Sequence, residues 1–254
     1  MKKFLFLFVF VVLVGCTSNT SKVARTDKMD VPGVVFFDYN GTLYDDKKIF
    51  DEGCEKYCKW KTKQQAEQFA KASANKKKEL IVKLLGSDVL KQVYSHFATS
   101  KFAKVQGAED VLIELTKQKI KTYVLSRSDG TKLRKWLADG NLLHYFNDVY
   151  GKNDFGDLQK PNKDFADKIK EVVRLKNQKC WMIGDSEQDI VMAKNLGCKS
   201  VIVDNFEEIN QNYGNLIDEN VVFMKYSKIL NLIKKINIII DNKNEFLCIN
   251  MLTC

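Results

Sequence analysis

Four short stretches of this chain carry the residue types that do chemistry: Asp38-Tyr39-Asn40-Gly41-Thr42, Ser126-Arg127-Ser128, Lys160-Pro161 and Gly184-Asp185-Ser186-Glu187-Gln188-Asp189. They offer a lone carboxylate, a hydroxyl, an ammonium and a pair of carboxylates. Acids with a few further oxygens, and no His or Cys ligands nearby, suit a hard cation such as Mg²⁺ holding a phosphate rather than zinc. A lysine and a serine can bind the remaining phosphate oxygens. An aspartate at a strand end can then attack phosphorus, forming an aspartyl-phosphate.

The elements between these stretches explain how they would meet. The apolar run Gly33 to Phe37 reads as a buried strand closed by Asp38. From about Asp46 to Ser100 the apolar spacing is helical and no β-rich run interrupts it. From Ala108 the chain alternates: helix Ala108–Lys117, strand Lys121–Ser126, helix Gly130–Ala138, a short strand near Asp148–Gly151, helix Asn162–Leu175, strand Cys180–Gly184, helix Ser186–Leu196 and strand Ser200–Val203. Such alternation builds right-handed βαβ crossovers and a parallel sheet covered on both faces. The expected fold is α/β, a Rossmann-like doubly wound parallel sheet with a small inserted helical domain. Ligands of such sheets bind beyond the carboxyl ends of the strands, and that is where all four stretches fall.

With the motifs in this order (FFDYNGTL around Asp38, VLS ending at Ser126, Lys160-Pro161, and MIGDSEQDI holding Asp185 and Asp189), the chain resembles the haloacid dehalogenase-like hydrolase superfamily, especially its phosphoglycolate phosphatase-like branch. The resemblance covers roughly residues 33 to 204 and includes the connecting segments VQGAEDVLIEL, LLHYFNDVYGK and AKNLGCKSVIV. It implies that Asp38 is the nucleophile. Asp38, the Asn40 main-chain carbonyl and Asp185 would hold Mg²⁺, with Asp189 supporting them. Ser126 and Lys160 would bind the transferring phosphoryl of a small phosphorylated substrate. The resemblance also implies that residues 45–105 form a helical cap over a core made of 33–44 and 106–235. Apart from the resemblance, Thr42 is an expected substrate contact, and Arg127, one of only four arginines and adjacent to Ser126, is expected to meet a substrate phosphate or carboxylate.

One position departs from the phosphatases of that family, which usually carry a second aspartate two residues after the nucleophile to protonate the leaving alcohol and activate water. Here it is Asn40. An amide orients water but has no proton to give, a loss commonly worth about 10² to 10⁴ in rate. Three functions remain: a phosphatase for substrates with good leaving groups such as acyl phosphates and phosphoanhydrides; a catalytically impaired relative with a binding or structural role; and, ranked last because of the acidic pair after Gly184, a dehalogenase. Asp45 and Asp46 lie on the exit toward the insertion and receive no role from the sequence.

The N-terminus adds a different chemistry. Met1-Lys2-Lys3 precedes an apolar run from Phe4 to Val14, too short to span a bilayer as a helix, which describes a secretory signal peptide of residues 1–15. Leu13-Val14-Gly15-Cys16 resembles the lipobox of bacterial lipoproteins, so Cys16 is the expected lipidation site, anchoring the protein to the cell envelope with its domain facing the periplasm or exterior. Residues 16–32 read as a polar tether and 236–254 as a tail without an assigned role.

The composition bounds what remains. The chain has 254 residues, 45% hydrophobic and 29% charged, with a net charge of +9 and two prolines, which excludes a disordered or multi-span membrane protein. Of 41 basic residues only four are arginines (Arg25, Arg127, Arg134, Arg174). Bidentate nucleic-acid reading by arginine is therefore not expected, and no nucleic-acid partner is assigned. Residues 45–104 alone carry +6. His96 and His144 lack metal-ligand spacing and are expected to pack. Cys54 and Cys58, four apart on a presumed helix, suit neither a zinc knuckle nor an unstrained disulfide. Cys180 and Cys198 are expected to act as small apolar side chains. The sequence assigns no oligomeric state.

Overall fold

A computed structural model of the chain describes residues 29–235 except 31, 73 and 204–213. The signal segment, Cys16, most of the tether, and the tail with Cys248 and Cys254 lie outside the described residues.

Six strands form one parallel sheet: β1 (Val34–Phe37), β2 (Lys121–Asp129), β3 (Asp148–Lys152), β4 (Cys180–Gly184), β5 (Lys199–Val203) and β6 (Val221–Met224). Their order is β3-β2-β1-β4-β5-β6, every neighbouring pair parallel. The chain winds outward from β1 to one edge, then from β4 to the other. The crevice between β1 and β4 is therefore the switch point at which such sheets bind ligands.

Both faces of the sheet are buried, as near-continuous apolar strands require. Val35 and Phe37 of β1 pack with α5 (Ala108–Lys117), α6 (Gly130–Asp139) and the helix over 226–235, α9. Val34 and Phe36, one residue out of phase, pack with α7 (Lys163–Val172) and α8 (Glu187–Leu196). Period-two alternation thus divides the core into two layers. Sheet and helices follow the expected fold, with strand β6 and helix α9 extending it beyond the last expected strand.

Between β1 and α5, four helices make the cap: α1 (Asp46–Tyr57), α2 (Lys63–Ala70), α3 (Ala74–Leu85) and α4 (Ser87–Thr99). Phe50, Cys54, Cys58, Phe69, Ile81 and Val93 give it a core of its own. Two crossing segments join cap to sheet and pair with each other: Asp45 N–H donates to the Ala103 carbonyl (2.8 Å), and Val105 N–H to that of Leu43 (3.1 Å). Among the described residues no helix is long and apolar enough to cross a membrane.

Four expectations need correction. Cys54 and Cys58 are disulfide-bonded, their Cα atoms 4.8 Å apart. The reason is that α1 ends at Tyr57 and Cys58 turns to extended backbone, so the pair does not lie on one continuous helix. Cys180 and Cys198 are also bonded, with Cα atoms 4.7 Å apart. Trp181 faces Lys199 in the β4–β5 ladder, so the residues just before them are neighbours across it. His144 is exposed, its ring against Tyr145 rather than in the core. The tether's end belongs to the fold, since Met29 packs in the core and Asp30 pairs with Lys179 at 2.8 Å.

Candidate active site

The loop after β1 is tight. Leu43 and Tyr44 N–H both donate to the Tyr39 carbonyl, and Gly41 N–H to that of Tyr44. Gly41 has φ +69°, and a Cβ there would lie 2.1 Å from Asp185 Oδ2. Glycine is thus required both by the left-handed backbone and by the approach of this loop to the loop after β4. Gly184 serves the same end on the other side, because a Cβ there would overlap the Asp189 carboxylate.

At the junction Lys160, only 3% exposed, links two aspartates. Its Nζ donates to Asp38 Oδ1 at 2.6 Å and pairs with Asp189 Oδ1. Burial alone pulls the Lys160 pKa down, but Asp189 and Asp38 outweigh it and hold the ammonium above its ordinary value. Asp189 is fully buried. Its Oδ2 accepts from the N–H of Asp185 and of Ser186 and from the Ser186 hydroxyl at 2.7 Å. Both of its oxygens are engaged, so Asp189 holds Lys160 and the Asp185 loop in place.

The carboxylates nevertheless outnumber their counter-charges. Oxygens of Asp38, Asp185 and Asp189 all lie within 4.8 Å of one another. Burial raises Asp38 to about 6, with Lys160 opposing and Asp189 reinforcing. Burial together with Asp189 and Asp38 raises Asp185 to about 7, against Lys47, whose Nζ is 3.3 Å from Asp185 Oδ2. Two largely buried carboxyls, raised first by burial and then by neighbouring carboxylates, are chemically matched to a hard divalent cation.

The remaining residues fall around this centre. Ser126, at the buried end of β2, accepts the Ser128 N–H at 3.2 Å. Thr42 is buried, its hydroxyl without a hydrogen-bond partner among the described residues, while its carbonyl accepts from Tyr226 of α9 at 2.8 Å. Asn40 is exposed and lines the cleft between cap and core, as do Lys47 and Ser128. Arg127 is exposed between Ser126 and Ser128, and of the three it is Ser128 that lines the cleft.

Asp45 is used as the N-cap of α1, accepting the Lys48 N–H at 2.9 Å, whereas Asp46 reaches the cleft and has its pKa raised by burial. Lys47 and Ser128 are the polar groups here that sequence reasoning left without a role. Ser128 stood in the motif; Lys47 is one lysine in a lysine-rich segment and carries no local signal.

Comparison with known proteins gives a consistent picture. The family described as haloacid dehalogenase-like hydrolase matches residues 35–203. The PpaX protein of Caldanaerobacter subterraneus subsp. tengcongensis, a pyrophosphatase by name, is 28% identical over 111 residues, 43% of this chain. The match spans about half (50%) of that relative's own length. The crystal structure of a Had-superfamily hydrolase from Ehrlichia chaffeensis is similar with TM-score 0.52 and 22% identity, covering 82% of this chain and 98% of that one. The HAD-hydrolase YfnB from Bacillus subtilis, solved bound to magnesium, is similar with TM-score 0.59 and 17% identity, covering 79% and 97%. At these identities the two structures speak for the fold.

Proposed function

The chain belongs to the haloacid dehalogenase-like hydrolases, and from that premise we propose that it is a Mg²⁺-dependent phosphohydrolase acting through Asp38 on substrates whose leaving group needs no proton. The observation that carries this reading is the buried Asp38–Lys160–Asp189 chain beside Asp185. It gathers a carboxylate, an ammonium and an acidic pocket at the sheet's switch point, which supports a nucleophilic role for Asp38.

Each side chain has a task in this scheme. Asp38 attacks phosphorus, and Lys160, anchored by Asp189, takes phosphoryl oxygens together with Ser126. Such pre-positioned charge counts most where negative charge builds in the transition state. Asp38, Asp185 and the Asn40 carbonyl would hold Mg²⁺, which when bound neutralises phosphoryl charge. Asn40 orients the hydrolytic water without exchanging protons. Thr42 supports the loop, and Arg127 at the rim is assigned an outer contact to the substrate anion.

Asn40 also gives the competing reading its footing, a catalytically impaired relative kept for binding. Hydrolysis of acetyl phosphate and p-nitrophenyl phosphate by the full chain with Mg²⁺ separates the two. We expect turnover by the wild type, and a gain of about 10² or more on alkyl phosphate monoesters in Asn40→Asp. No turnover of either compound, with activity appearing only in Asn40→Asp, would favour the binding role.

The location follows separately. We infer a lipid anchor at Cys16 and a domain outside the cytoplasm. The two disulfides favour such a location, because reducing compartments seldom keep them.

A further inference from the structure

The cleft that opens onto the catalytic loops is far larger than a phosphoryl group needs. It has a volume of about 1050 Å³, at the upper end of small-molecule sites. A small phosphorylated acid would leave most of it to water.

One wall is aromatic. Tyr39, the residue after the nucleophile, stacks on Tyr44 on one side (5.5 Å, 12° between planes) and on Trp136 of α6 on the other (5.9 Å, 18°). Tyr39 and Tyr44 are buried, but Trp136 is 38% exposed at the end of the stack. From the cap side Tyr94 of α4 also lines the cleft and is 44% exposed. Two large rings left open on a cleft reached from both domains, one of them extending a stack, form a platform for a flat ligand group.

The polar part of the lining is cationic, with five lysines against Asp46, Asp51 and Asp139. Lys77 is held by Asp51 and Lys135 by Asp139. Lys78 and Lys132 make no salt bridge within 4 Å among the described residues, although Lys78 interacts electrostatically with Asp46 and Lys132 with Asp129. A substrate with a second phosphate beyond the reacting one would meet that charge. Asn40 restricts the class further, since a nucleoside monophosphate would expel an alkoxide that needs a proton, whereas a diphosphate expels a stable phosphate anion.

We propose that the cleft takes a nucleoside diphosphate, with its terminal phosphoryl at Asp38, its inner phosphate among the cleft lysines and its base against Trp136 and Tyr94. The proposal rests on the phosphohydrolase reading for its chemistry. Asp38 bonds to the terminal phosphorus as the bond from that phosphorus to the bridging oxygen breaks, and the nucleoside monophosphate leaves with the electron pair. Water then attacks the same phosphorus. The phosphorus keeps the water oxygen, Asp38 regains its carboxylate, and the proton passes to the released phosphate.

Binding tests the subsite independently of turnover. Calorimetry on the full chain with Mg²⁺ compares α,β-methylene-ADP with methylenediphosphonate, which has the same phosphonate pair and no nucleoside. We expect the nucleotide analogue to bind at least about tenfold tighter, the scale of one stacked base. Trp136→Ala should close most of that gap, and Tyr94→Ala, on the other domain, should narrow it if the first variant fails to fold. Equal affinities in the wild type, or a gap untouched by either substitution, would overturn the proposal. A nucleotide preference without acetyl phosphate turnover would leave the subsite standing and remove the phosphohydrolase reading.

Discussion

Asp185 concentrates the electrostatics of this protein in a single titration. Its carboxyl is raised to about 7 by burial and by Asp189 and Asp38. In the unfolded chain it returns to its ordinary value of 3.8. Between those limits the folded state binds the extra proton, so stability is greatest below the lower value and is lost as pH rises through the upper one. Asp38, raised to about 6, adds the same sign. The metal-free protein should therefore melt at lower temperature at about pH 7.5 than at about pH 5. Added Mg²⁺ should raise the melting temperature mainly at the higher pH, where the carboxyls are ionised. Thermal unfolding of wild type beside Asp185→Asn checks this, because the variant should lose much of the slope; a flat wild-type profile, or one rising with pH, speaks against the shared acidic pocket. Asp38 and Asp185 were legible because each directly follows a strand, and Ser126, Lys160 and Asp189 because they lie in short motifs near strand ends. The Lys47 contact to Asp185 was not, since it depends on how the cap's first turn is set over the β4 loop.

At the scale of elements, apolar runs and alternation carried the sheet, and the failures were those of pairing. The run Val221–Met224 is too short for periodicity to separate strand from helix. What makes it β6 is the open edge of β5, with Val201 facing Val222. Likewise Cys180 and Cys198 read as two small apolar residues until β4 and β5 lie side by side. That disulfide spans a sequence separation of 18 and links the sheet to the end of α8. Constraining a loop of that length in the unfolded chain is worth about 3 kcal/mol. A Cys180→Ala/Cys198→Ala variant should lose that much in oxidising urea titrations, measured against wild type. A loss below about 1 kcal/mol would mean that the bond does little to hold the edge of the sheet. The Cys54–Cys58 bond closes a far shorter segment and should matter less on the same argument.

The whole molecule is a switch-point sheet with a helical cap beside it and a cleft lined by residues of both, so the proposed chemistry and the proposed specificity rest on different layers. The loops at one end of the sheet bring Asp38, Lys160 and Asp185 together. The lysines and rings that line the cleft between cap and sheet, which the nucleotide proposal uses, are spread from Tyr39 to Trp136, a distribution no local motif reveals. The proposed anchor at Cys16 is a separate matter and can be tested separately. Radioactive fatty acid should label the protein in bacteria and be lost in Cys16→Ser; persistent label in the variant would move the anchor elsewhere. The covalent role proposed for Asp38 underlies all of the chemistry above, and acid-quench trapping tests it directly. The full chain is mixed with Mg²⁺ and acetyl [³²P]phosphate, stopped in acid within the first turnovers and mapped by peptide. The prediction is acid-stable, hydroxylamine-labile label on the peptide holding Asp38, absent from Asp38→Asn. Phosphate release with label on another residue, or equal release by Asp38→Asn, would contradict it.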